Sequence, residues 1–175
     1  MNLNKSFIYI LLNLFFFIAC KLQMQVMKTS ILNFLPQLKL HHVVLISKID
    51  KKNDVYTIDF TPINQSHSKT LTSLLLGKNV PAELRIRRIK NTNINDEKTI
   101  LKLWDSNITE KQSLDLNNSV YTSIKDKEIK EMIALFLLWA KKKQYMNLYT
   151  CNCQHFGNYA KTNYETYMEQ QLSEM

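Results

Sequence analysis

The sequence predicts an α+β fold in which a small antiparallel sheet packs against helices. Two apolar segments, residues 41–46 and 55–60, flank a polar stretch and are typical of paired strands. An amphipathic segment over residues 129–140 and a second one that begins at Cys153 are typical of core helices. With 175 residues and 45% hydrophobic content, the chain can build one domain, which we place at residues 41–175.

The N-terminal region, residues 1–20, is predicted to be a signal peptide or a membrane anchor. Residues 7–19 form an uncharged apolar run behind Lys5. The run is shorter than the ~20 residues that cross a bilayer, so it fits the apolar core of a signal peptide. It ends at Cys20 in a sequence that resembles a bacterial lipobox, while an uncleaved anchor and a buried helix are the alternatives. We therefore expect membrane association, or secretion with or without a lipid anchor, through residues 7–20.

The predicted hairpin follows a connector. Residues 21–40 form this connector, which has helical leanings and is interrupted at Pro36. His41 begins the first strand, and the second strand ends at Pro62 because proline cannot continue a ladder. The polar residues 47–54 join the two strands as an antiparallel hairpin.

A third strand is predicted within residues 81–90, and it carries the densest basic cluster of the chain. Arg85 and Arg87 alternate with apolar residues, and Arg88 follows them. Together with the net charge of +8, this cluster favours contact with an anionic surface such as phospholipid headgroups. The solvated face of an edge strand is the alternative explanation. Nothing in the cluster predicts a specific nucleic-acid partner.

Cys153 is the candidate nucleophile, because a helix is predicted to begin there. Asn152 can act as the N-cap by accepting from backbone N–H groups. Cys153 then lies in the first turn, where the unpaired N–H groups and the helix dipole favour a thiolate, the attacking form of cysteine. The alternative is that Cys153 is a small buried side chain of the core.

The segment Asn152-Cys153-Gln154-His155-Phe156 resembles the Asn-Cys-Glu-His-Phe box of the lecithin:retinol acyltransferase and phospholipase/acyltransferase group. Those proteins are circularly permuted relatives of the NlpC/P60 and papain-like cysteine enzymes. In that family the base histidine comes first, on a strand. A second polar residue follows on the next strand, and the cysteine comes last, at a helix start. The resemblance therefore implies a circularly permuted papain-like domain, with Gln154 in place of the family's usual glutamate.

The hairpin carries residues in that same order. His41 and His42 open the first strand, and only one can be the base because their side chains point to opposite faces. We favour His42, because residues 43–46 then match the family's short apolar tail, and His41 is the alternative base. Asp59 stands where the family has its second polar residue, and it would hold the imidazole in one tautomer. Backbone N–H groups next to Asn152 would bind the oxyanion.

The resemblance predicts a cysteine-dependent acyl hydrolase or acyltransferase that acts on a peptide, another amide or a lipid ester through a thioester on Cys153. No cofactor is predicted. Cys151, Cys153 and His155 lack the Cys-x-x-Cys spacing of structural zinc, so we predict no metal site.

A second resemblance suggests another class of protein. A core protein family of baculoviruses and nudiviruses is similar to this chain in the His-His-apolar strand of residues 41–46 and in residues 58–62, 74–83 and 147–156, and the likeness covers most of residues 41–161. That family is associated with membranes and virion envelopment. The alternative function is therefore that of a non-catalytic, membrane-associated viral protein that retains the fold and acts in virion assembly. It would be located at a host cell membrane or in the virion.

Overall fold

The computed structural model describes residues 22–30, 41–49, 53–65, 67–105 and 119–173. Their core is a five-stranded antiparallel sheet in the order β1-β2-β3-β4-β5, with helices packed against it, which confirms the α+β class. The strands are β1 (Leu22–Thr29), β2 (His41–Lys48), β3 (Asn53–Pro62), β4 (Val80–Thr92) and β5 (Tyr145–Met146). The helices are α1 (Ser68–Leu75), α2 (Glu97–Asp105), α3 (Ser119–Ser123), α4 (Lys127–Lys143) and α5 (Cys153–Ser173).

Strand β1 lies in the segment that was predicted to be a connector with helical leanings. Its leucine, methionines and glutamines favour a helix locally. However, β1 pairs with β2 over its whole length, from Leu22–Lys48 to Thr29–His41, and this tertiary pairing overrides the local preference. β1 therefore belongs to the same sheet as the predicted domain.

The predicted targeting segment, residues 1–20, lies outside the described residues, as do residues 31–40 of the connector. Within the described ranges, no helix is both long enough and apolar enough to cross a membrane. The targeting prediction therefore stays a prediction.

The sheet buries side chains on both of its faces. On the α5 face, Ile58 and Phe60 pack in one cluster with Phe136 of α4 and Phe156 of α5. On the opposite α2 face, a smaller cluster includes Val43, Leu45 and Ile89 of the strands and Ile100 of α2. Because side chains alternate along a strand, each residue of the hairpin is assigned to one of these two environments.

Helix α4 begins with a charged N-cap. The Asp126 carboxylate accepts a hydrogen bond from the Ile129 backbone N–H at 3.1 Å, and it also pairs with Lys48 of β2. The cap therefore joins the main core helix to the sheet.

Asp126→Ala is expected to lower the free energy of unfolding by about 1 kcal/mol, because the N–H groups of the first turn lose their acceptor. Urea denaturation measures the effect. Asp126→Asn is the matched control, since it loses the Lys48 pair but keeps a capping oxygen. An equal loss in the two variants would show that the cap is not the source of the stabilisation.

Candidate active site

Cys153 is the first residue of α5, and Asn152 caps this helix. The Asn152 side-chain oxygen accepts from the backbone N–H of Gln154 at 2.9 Å and from that of His155 at 3.1 Å. Its side-chain nitrogen donates to the Leu148 carbonyl at 2.6 Å. The predicted N-cap is thus confirmed, and it fixes the backbone on which the cysteine is presented.

His41 faces both Asp59 and Cys153, which corrects our preference for His42. The Nε2 atom of His41 lies 3.4 Å from Oδ2 of Asp59. The imidazole of His41 is also hydrogen-bonded to the thiol of Cys153. The side chain of His42 instead packs over Gly157 of α5. The alternative base of the sequence analysis therefore occupies the site.

The register of the hairpin explains this correction. Val44 pairs with Ile58, which places His41 and Asp59 together on the α2 face of the sheet. His42 points to the opposite face, toward α5. The apolar residues that follow the two histidines are compatible with either histidine as the base. Which of the two shares a face with Asp59 depends on how β3 aligns with β2, and the local sequence does not give that alignment.

Cys153 comes from the α5 face and meets His41 near the start of β2. Residues 44–46 of β2 pair with residues 56–58 of β3, so His41 and His42 pair with β1 but lie beyond the segment that pairs with β3. In this region the backbone N–H of His42 donates to the Cys153 sulfur. The thiol can therefore reach an imidazole that belongs to the other face.

The thiol and the imidazole titrate as a pair. Burial by itself would raise the pKa of Cys153, but the hydrogen bond and charge of His41, together with the backbone N–H groups of His42 and Gln154, lower this pKa below its usual value. Burial would lower the pKa of His41, but the Asp59 carboxylate and the Cys153 thiol raise it to about 9. The lowered pKa of Cys153 and the raised pKa of His41 both favour a thiolate beside an imidazolium.

Cys151 is the internal comparison for these shifts. Burial raises the pKa of its thiol, and the charge of Lys143 opposes this only in part. The pKa values of the two cysteines are therefore shifted in opposite directions. Of the two, only Cys153 has a pKa that is shifted in favour of the thiolate.

Arg87 is a further charged residue of the site, although its sequence pattern had suggested an exposed strand face. Its side chain is buried, and Nη1 lies 3.4 Å from Oδ1 of Asp59. The guanidinium carbon lies 4.7 Å from the centre of the Trp104 ring. The Trp104 ring in turn stacks on His41, with centroids 5.9 Å apart. These contacts close a ring of four residues: His41, Asp59, Arg87 and Trp104.

Sequence reasoning missed Arg87 and Trp104 because neither lies in a motif. One signal did point toward Arg87. Asp59 lies between two apolar residues of a buried strand, and a buried carboxylate requires cationic partners. A basic residue on the same face of the next strand would satisfy that requirement, and the register pairs β3 with β4 along this stretch.

The other arginines of the basic cluster also have acidic partners within the chain. Arg85 Nε lies 2.7 Å from Glu83 Oε1. Arg88 Nε lies 2.7 Å from Asp54 Oδ2. The contact of this cluster with an anionic surface stays a prediction.

No group of three or more histidine, cysteine, aspartate or glutamate side chains that could hold a metal ion occurs in the described part of the chain.

The chain matches no protein-family model, no curated protein and no solved structure in the three comparisons with known proteins. The site is therefore characterised by its own geometry. It is a cysteine–histidine–aspartate group in which the cysteine lies at a helix N-terminus.

Iodoacetamide at about pH 6 is expected to label Cys153 before Cys151, because only the thiolate reacts and, of these two cysteines, Cys153 is the one whose pKa is lowered. His41→Ala should slow the labelling of Cys153, and His42→Ala should leave it nearly unchanged. Peptide mass spectrometry of a labelling time course measures both rates. Equal labelling of the two cysteines that neither substitution affects would leave Cys153 as a packing residue.

Proposed function

We propose that the protein is a cysteine-dependent acyl hydrolase or acyltransferase with Cys153 as its nucleophile. The observation that carries this proposal is the contact of a helix-start thiol with His41, whose Nε2 atom faces Asp59. Since Nε2 lies 3.4 Å from the carboxylate, this proposal assigns to Nδ1 the role of taking the thiol proton. This is the arrangement of nucleophile, base and orienting group that activates a cysteine.

The reaction proceeds in two halves. The Cys153 thiolate attacks the acyl carbonyl carbon, a sulfur–carbon bond forms, and the carbonyl electron pair moves to oxygen. The oxyanion collapses, the amine or alcohol leaves, and the His41 imidazolium supplies its proton. Water or an acceptor amine or alcohol then attacks the thioester, His41 takes the proton of the attacking group, and the thiolate is released.

In this proposal the oxyanion lies at the start of α5, where the positive end of the helix dipole favours negative charge. The N–H groups of Gln154 and His155 both donate to the Asn152 side-chain oxygen, and the Asn152 side-chain nitrogen donates to the Leu148 carbonyl. Asn152 therefore contributes by holding the first turn of the helix in place.

The order of the site residues supports a circularly permuted papain-like fold. The histidine is on β2, the carboxylate on β3 and the cysteine at the start of α5. This is the order base, orienting group, nucleophile, as in the permuted family that the Cys153 box resembles. The substrate class stays open between a peptide or other amide and a lipid ester.

With p-nitrophenyl acetate as substrate, the full chain is expected to release a burst of p-nitrophenol and to gain one acetyl group on Cys153. His41→Ala should slow the burst by about 100-fold or more, because the base is lost. Stopped-flow absorbance and peptide mass spectrometry measure the two events. Cys151→Ser is the matched control and should retain the burst, and acetylation that survives Cys153→Ser at the same rate would contradict the proposal.

The second candidate function is that of a membrane-associated viral assembly protein without catalysis. Two observations favour it. Cys153 is only 7% exposed and His41 only 5%, which restricts access of a substrate to the pair. In addition, an exposed apolar surface, here named the apolar edge, lies near the loop that leads into Cys153. Its members are Ile63, Leu75, Leu76, Tyr145, Leu148 and Tyr149.

Members of the apolar edge come together in two groups. The Tyr149 ring packs against Gly77, directly after Leu76. Tyr145 pairs with Pro81, whose carbonyl accepts from the Ile63 N–H at 3.1 Å. An exposed apolar surface of this kind is typical of a contact site for a partner or a membrane.

If the apolar edge contacts a membrane, Leu75→Ser combined with Leu76→Ser should lower the membrane-bound fraction of the full chain, because the apolar contact area is lost. Leu135→Ser combined with Leu138→Ser is the control, since these leucines are exposed on α4. Vesicle flotation measures the bound fraction. The second candidate function also requires that Cys153→Ser leave the membrane-bound fraction unchanged. Equal membrane binding of the two double variants would show that the apolar edge is not the membrane contact.

A further inference from the structure

The four buried charges of the site form a balanced set. In the thiolate–imidazolium state, Cys153 and Asp59 are negative, while His41 and Arg87 are positive. Each member has an oppositely charged neighbour within the set. Since an isolated charge is costly to bury, the thiolate state depends on all four members.

The two oxygens of Asp59 have separate partners. Oδ1 faces Arg87 and Oδ2 faces His41, each at 3.4 Å. Both are ion-pair contacts without hydrogen-bond geometry, since Asp59 Oδ1, Arg87 Nη1 and His41 Nε2 are buried with no hydrogen-bond partner among the described residues. Asp59 is 1% exposed, so water cannot replace either cation without rearrangement. Arg87 therefore balances the carboxylate charge at Oδ1, while His41 balances it at Oδ2.

Trp104 contacts both cations of the set. The guanidinium of Arg87 lies over the indole ring, and the imidazole of His41 stacks on the same side chain with an interplanar angle of 26°. The negative face of an indole attracts cations, so Trp104 favours the charged forms of both residues. Its indole N–H is buried with no hydrogen-bond partner in the structure, which costs free energy that a purely apolar side chain would avoid.

We propose that Arg87 and Trp104 are positioning residues that hold Cys153 in its thiolate–imidazolium form. Arg87 neutralises Asp59, and Trp104 holds the guanidinium and the imidazolium in place beside the carboxylate. The catalytic meaning of this inference rests on the proposed function. The charge balance itself is measurable on the protein without any substrate.

The charged groups around the site come from four elements. His41 from β2, and Arg87 and then Arg85 from β4, act on Asp59 of β3. Asp59 and Cys153, the latter from α5, act on His41. Helix α2 contributes Trp104, which is uncharged. Removing the Arg87 charge leaves the buried set with a net negative charge, so the thiol is expected to hold its proton to a higher pH.

The pH profile of Cys153 alkylation in the full chain tests this inference. Arg87→Met should move the midpoint upward by about one pH unit, which slows labelling near pH 6 by about tenfold. Arg87→Lys keeps the positive charge, so its alkylation midpoint should stay close to that of the wild-type chain. Trp104→Leu should also move the midpoint upward, whereas Trp104→Phe retains an aromatic face and should move it less.

Arg88→Met is the matched control. Arg88 lies on the same strand and pairs with a carboxylate, Asp54, on the opposite face of β4. Its loss should leave the alkylation midpoint unchanged. An unshifted midpoint in folded Arg87→Met, or an equal shift in Arg88→Met, would overturn the inference. If Arg87→Met does not fold, Trp104→Leu decides the question, since an unshifted midpoint there overturns it equally.

The inference and the proposed function fail in different ways. A wild-type chain that shows a low alkylation midpoint but forms no acetyl-enzyme contradicts the catalytic proposal and leaves the charge balance intact. A chain that forms the acetyl-enzyme but shows no shift in Arg87→Met or Trp104→Leu contradicts the positioning role alone.

Discussion

The burial of the Asp59 carboxylate is the constraint on which the site depends. A charge that is 1% exposed must be compensated by neighbouring cations, because water is excluded. Burial would raise the pKa of Asp59, but the adjacent imidazole of His41 and the charge of Arg87 lower it below its usual value. Three strands must therefore be aligned in one register before the carboxylate can be ionised. The order of the sheet and the chemistry of the site are thus linked through one side chain.

The close approach of α5 to the sheet is the second requirement. Gly157 lies in the first turns of α5, where an added β-carbon would lie 3.4 Å from Val26 Cγ1 and 3.6 Å from the β-carbon of His42. A long side chain there would push the helix, and Cys153 with it, away from β2. The preceding loop is held by Asn147, whose side-chain nitrogen donates to the Gly77 carbonyl at 2.6 Å. Helix and loop together determine where the sulfur lies.

The same burial that favours the ion pair also limits access to it. A low dielectric strengthens the attraction between thiolate and imidazolium, but a thiol that is 7% exposed presents little surface to an acyl group. The two proposed functions explain the low exposure of Cys153 differently. For an enzyme, the surroundings of Cys153 must open during turnover. For an assembly protein, the ion pair is a structural element of the core.

The sequence by itself determined the fold class, the hairpin and the start of α5, because these follow from local periodicity and capping chemistry. Cys153 and Asp59 were singled out as a catalytic pair by the resemblance to the permuted cysteine enzymes. The sequence did not identify β1, because the helical preference of its residues is reversed by pairing with β2. The choice of His41 over His42, and the roles of Arg87 and Trp104, were decided only by the tertiary structure. Which side chains share a face across several strands depends on register, and register is set by contacts between segments that are distant in the chain.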